Sequence, residues 1–187
     1  MALPAYTKVK SRRTFDQLPK GAYVVVIKDV KEVKMDWGEV RLKVAFDIAE
    51  GEYKNFFRKQ FDSNSNSDKK WKGTYRAVIP NEKSQYFESE RKTFNNLIYS
   101  LEDSNNGYHY DCDEQKFKGK FIGVIYRHKE WEMNGNTGWT TECGAVTNVK
   151  AIRENTFKSL KDKPLKNKPS TVPASANSDS NDEDLPF

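Results

Sequence analysis

The stretch Val40–Ile48 constrains this chain more than any other. Val40, Leu42, Val44, Phe46 and Ile48 alternate with Arg41, Lys43, Ala45 and Asp47. That period of two is what a half-buried β-strand imposes, because successive side chains leave opposite faces of a sheet. One face of this strand is apolar throughout and the other carries Arg41 and Lys43 outward.

The neighbouring segments supply further elements. Leu18-Pro-Lys-Gly21 is turn chemistry, and a strand follows it. There Tyr23, Val25 and Ile27 alternate with Val24, Val26 and Lys28, so both faces start apolar, as in a barrel wall. Met35-Asp-Trp-Gly38 reads as a tight connection. After Gly51–Asn55 turns the chain, a short third strand is expected at Phe56–Phe61, and the polar run 62–70 is expected as a loop. Another apolar piece lies at Tyr75–Ile79, before Pro80. Phe87, Phe94, Leu97, Ile98 and Leu101 form one stripe of a helix over 84–102. Strands at Phe121–Trp131 and Trp139–Ile152 flank Asn134-Gly135, a strong hairpin signal. Phe46, Phe94 and Phe121 are assigned to the core. The result is a mainly β chain of five strands with a helix between the third and fourth. That order predicts an OB-fold barrel, which binds oligonucleotides through its strand 2–3 face and the loops L12 and L45.

Charge is segregated along the chain. All four charged side chains after Lys168 are acidic, so the formal net charge of +5 rises to +9 when they are set aside. A basic body with 13% aromatic residues suits a polyanion partner whose phosphates are neutralised and whose bases are stacked. Cys112 and Cys143 fit no metal spacing and read as free thiols of a reducing cytoplasm, although a pair is not excluded by sequence. His109 and His128 are the only histidines, and neither belongs to a metal motif. With no phosphate-cradling loop or nucleophile elbow either, the chain reads as a non-enzyme with no cofactor and no metal. No run approaches the ~20 apolar residues of a membrane span, and the N-terminus lacks a secretory signal's apolar stretch. No membrane partner and a cytoplasmic location are therefore expected.

The chain closes on Asp182-Glu183-Asp184-Leu185-Pro186-Phe187. This string resembles the acidic C-terminal tip of bacterial and phage single-stranded DNA-binding proteins. Leu18-Pro-Lys-Gly-Ala-Tyr23 and Gly51-Glu-Tyr-Lys54 add a weaker likeness to small phage-encoded members of that family. The insertion around 62–118 and the short Lys-rich linker depart from the cellular proteins and put their tetrameric assembly in doubt. The resemblance implies coating of single-stranded DNA without sequence preference in replication, recombination and repair. It also implies docking of partner enzymes by the tip, whose terminal ring and carboxylate suit a basic-rimmed apolar pocket. An acidic tip can also compete with DNA for the basic groove. Residues 1–18 are read as a basic arm, 19–155 as the DNA-binding domain, 156–181 as a flexible, in part disordered linker and 182–187 as the tip.

On such a barrel, Arg41 and Lys43 of strand 2 and Arg58 and Lys59 of strand 3 are the candidate phosphate contacts. Trp37 in loop L12, and Trp131 and Trp139 around loop L45 with Arg127 and Lys129, complete the DNA-binding set. Trp71 and Tyr75 are left open between extending the groove and capping the barrel. Two alternatives stand beside this reading: an adaptor or inhibitor of a host repair enzyme that acts through the tip without binding DNA, and an RNA-binding barrel that uses the same residues. Homo-oligomerisation is also left open.

Overall fold

The computed structural model describes residues 17–36 and 38–165. Its centre is one five-stranded antiparallel sheet. The strands are β1 (Gly21–Lys34), β2 (Val40–Ile48), β3 (Thr74–Val78), β4 (Phe121–Met133) and β5 (Asn136–Thr147). Their order across the sheet is β3-β2-β1-β4-β5, with β1 serving both halves. Helix α2 (Phe87–Ser104) lies between β3 and β4 in sequence, as expected, and α1 (Phe56–Ser63) and α3 (Val149–Arg153) are shorter. The outer strands β3 and β5 come within 8 Å of each other at their nearest Cα atoms, yet no backbone ladder joins them. The sheet is curled and open.

β2 keeps the predicted alternation: Leu42, Val44, Phe46 and Ile48 are buried, and Val40 at the strand end is exposed. They meet Val25, Ile27 and Val30 of β1, Ile122 and Val124 of β4, and Leu97 and Leu101 of α2. Burying each such aliphatic side chain is worth roughly 1.5–3 kcal/mol, which is why α2 is held as a lid on one sheet face. At the hairpin, Asn134 and Gly135 both take positive φ (52° and 75°). This is the two-residue turn whose twist matches that of the strands.

Several expectations are corrected. Phe56–Phe61 is helix α1, not a third strand. The buried carboxylate of Asp47, expected to point outward, accepts the N–H groups of Phe57 (3.0 Å) and Arg58 (3.2 Å). These are first-turn donors that have no partner within a helix, so Asp47 supplies the missing acceptor from a neighbouring strand. The third strand is the later apolar piece, Thr74–Val78. It follows Gly73, where a Cβ would lie 2.4 Å from the Phe46 carbonyl oxygen and 2.5 Å from the Phe57 ring.

β5 ends at Thr147 rather than running to Ile152, because the Asn148 side chain accepts the Ala151 N–H at 2.7 Å and starts α3. Phe121 is 42% exposed rather than in the core, since it opens β4 at a site where Asn105 binds its backbone on both sides.

The expected linker also begins later than residue 156. Residues 160–165 lie along the edge of β4 that β1 leaves unpaired. Lys163 donates its N–H to His128 and accepts that of Glu130, both at 2.9 Å. Leu165 donates to the Glu130 carboxylate at 3.2 Å, and Lys20 ties Asp162 at 2.7 Å. The rest of the linker, the tip 182–187, most of the basic arm and Trp37 lie outside the described residues.

Candidate nucleic-acid interface

Between the two free sheet edges runs an open groove of about 830 Å³. β3 contributes Thr74, Tyr75 and Arg76 to one wall, β5 contributes Thr140–Gly144 to the other, and α1 adds Phe56, Phe57, Gln60 and Phe61. Among the described residues its basic lining is Arg41, Lys70, Lys72, Arg76, Arg127, Lys129 and Lys163, against the single carboxylate of Glu142. Burial pushes the Tyr75 hydroxyl up to about 12, so it stays a neutral ring at the groove wall. The Cys143 thiol is likewise raised to about 12 by burial, and both cysteines are unpaired.

Glu142 is the electrostatic centre of the β5 wall. Arg127 donates to its Oε1 from two nitrogens, at 2.9 and 3.2 Å. Lys129 approaches Oε2 at 3.2 Å, and Lys163 lies 4.0 Å from Oε1. Desolvation alone would raise this carboxyl, but the hydrogen bonds from Arg127 and Lys129 prevail and hold it below the ordinary carboxylate value. Arg127 and Lys129 thus lie in the groove with part of their charge already answered.

The remaining sequence candidates divide. Arg41 lines the groove and is paired with Glu39 at 3.1 Å. Lys43 stands on the outer face of β2, beside Lys31 of β1 and Arg76 of β3. Arg58 and Lys59 are exposed on α1 rather than on a strand. Arg58 is paired with Asp62 one helical turn on, and neither lines the groove.

Trp131 and Trp139 are both exposed, at 37% and 47%, but they do not share a face. The turn pairs Trp131 with Gly138 and Glu130 with Trp139. Strand alternation therefore puts Trp131 on the Arg127–Lys129 side and Trp139 on the other, against His128. Trp71 is half-buried. Its indole N–H donates to the Phe46 carbonyl at 2.9 Å, and its ring packs beside Phe61.

Sequence reading missed Lys70, Lys72, Arg76 and Lys163, because only the pairing of β3 and the return of residues 160–165 bring them to the groove. Among the described residues no group of three or more His, Cys, Asp or Glu side chains is placed to hold a metal ion, and no helix is long and apolar enough to cross a membrane. Compared with protein-family models and with curated proteins, the chain matches none.

Proposed function

We propose that this chain binds single-stranded DNA without sequence preference, on an OB-type barrel whose open seam is the groove between β3 and β5. The observation that carries this reading is the charge of the groove: seven basic side chains to one carboxylate, among aromatic residues. A polyanion that enters such a groove releases its counterions, and unpaired bases gain ~1–3 kcal/mol for each ring they stack on. Tyr75 and Phe61 within the groove and exposed Trp131 beside the Arg127–Lys129 face supply rings. We read the role as binding rather than catalysis. Metal-assisted strand cleavage needs carboxylates free to hold cations, and the groove's Glu142 is engaged by Arg127 and Lys129. The tip Asp182–Phe187 then serves to recruit replication, recombination or repair enzymes.

A mobility-shift comparison of labelled oligo-dT, matched duplex and matched RNA tests the reading. Retention of oligo-dT well below the duplex concentration is expected. Equal retention of the RNA oligomer would move the assignment to RNA, and no retention of any of them would leave only the tip-mediated adaptor role.

A further inference from the structure

Past Tyr126, β4 outruns β1. The β1–β4 ladder ends where Gly21 faces Tyr126, and β5 alone among the named strands pairs with Arg127–Met133. Residues 160–165 take over the vacated edge as a strap running parallel to β4. Their hold is light. Lys163 makes two backbone hydrogen bonds, with His128 and Glu130, and the Leu165 N–H reaches the Glu130 carboxylate. Asp162 accepts the His128 N–H at 3.2 Å and the Lys20 ammonium at 2.7 Å. Parallel pairing is slightly weaker per residue than antiparallel, and a strand held by few bonds opens locally well before the whole sheet does. A segment that only blunted a free edge would need nothing more. This one also reaches the groove. Lys163 is part of the groove lining, with its ammonium 4.0 Å from Glu142. Leu160 covers Gly144 of β5, another groove residue, so closely that a Cβ there would lie 2.8 Å from its Cδ1.

We propose that residues 160–165 are a latch that a bound polynucleotide tightens, with Lys163 as the link between strap and groove. The proposal rests on the reading that the groove binds polynucleotide. Lys163 meets a phosphate in the groove only while the strap is docked, so the docked form binds the strand more tightly than the open form. By linkage, the bound strand favours docking by the same factor. The consequence reaches beyond the groove. Thr156 is tied back to Ala151 of α3, so with the strap open the chain departs from the domain near α3. With the strap closed it departs near Leu165, beside β4. Occupation of the groove therefore fixes the point from which the segment ending in Asp182–Phe187 leaves the domain.

The test is amide hydrogen exchange of the full chain with and without saturating oligo-dT, paired with anisotropy titrations of the same oligomer. Each phosphate contact on a single strand contributes about 0.7 to the salt slope, so losing one costs about 5-fold in affinity at 0.1 M salt. In the free chain the Lys163 and Glu130 amides are expected to exchange faster than those of the β1–β4 ladder. Bound oligo-dT should slow both by about 5-fold. L160A changes no charge and no groove-lining residue. It is expected to speed exchange at both amides and to weaken binding by up to about 5-fold. Beside K163Q both effects should vanish: oligo-dT no longer slows the strap, and L160A costs no further affinity. Binding without added protection at Lys163 and Glu130, or a loss from L160A that persists beside K163Q, would overturn the latch and leave the groove reading intact. Failure of the unmodified chain to bind oligo-dT at all would overturn both.

Discussion

Two sets of three cations sit on the same sheet and face opposite circumstances. Arg127, Lys129 and Lys163 surround Glu142, so the protein itself answers part of their charge. Lys31, Lys43 and Arg76 are lined up by strand register with no carboxylate paired to them among the described residues. Counting basic residues would rank the two alike. The difference is that the first set is a pre-arranged clasp whose net charge is smaller than its number of cations. The second sets like charges opposite one another, and the nearby Asp29 carboxylate acts on Lys31 while its ion pair goes to Lys118.

The largest expected effect separates the sets directly. For a long oligo-dT at 0.1 M salt, K31Q/K43Q/R76Q is expected to lose on the order of 100-fold in affinity. R127Q/K129Q/K163Q is expected to lose roughly 25-fold, because one of its three charges is offset by Glu142. Anisotropy titrations would show it, and a larger loss for the second triple would break the comparison. Next comes E142Q, which frees the clasp. Affinity should rise about 5-fold and the salt slope steepen by about 0.7. If affinity falls instead, Glu142 orders the three cations more than it offsets them.

Effects on folding are smaller and opposite in sign. Thermal or urea unfolding should show K43Q stabilised by roughly 0.2–1 kcal/mol, as directly opposed like charges are relieved. R127Q should be destabilised by up to about 1 kcal/mol, as a half-exposed ion pair is lost. The smallest effect is in acid. Glu142 ionises more readily folded than unfolded, so its contribution is complete above its unfolded value near 4.5 and is lost as pH falls through the lower folded value. Urea midpoints against pH should therefore drop less on the acid side for E142Q than for the unmodified chain. Parallel acid limbs would show that the clasp does not stabilise the fold.

Much of the sheet was legible in the sequence, and the reasons are local. β2 declares itself by strict alternation, and Asn134-Gly135 fixes the β4–β5 hairpin together with its register. That register already implied that Trp131 and Trp139 fall on opposite faces, since a two-residue turn pairs Trp131 with Gly138 and leaves Trp139 opposite Glu130. Phe56–Phe61 misled because the Phe56-Phe57 pair and Phe61, on either side of Arg58 and Lys59, resemble a strand. The positions that face the groove, Phe56, Phe57, Gln60 and Phe61, follow helical spacing, and the acceptor that starts the helix is Asp47, on another element.

The site was less legible than the fold. The cation row exists only once β1 and β3 are set in register on β2, and Lys163 reaches Glu142 only because residues 160–165 return along β4. Such long-range pairings leave no periodic trace in the segments they join.

The account depends on unpaired polynucleotide being held by charge and by aromatic rings. Its most direct test is a titration of tryptophan emission with oligo-dT at two salt concentrations. Exposed Trp131 should be quenched as bases stack on it, and affinity should fall steeply between 50 and 200 mM salt, by about 0.7 in log–log slope for each phosphate engaged. Emission unchanged by oligo-dT at low salt, or an affinity indifferent to salt, would contradict it.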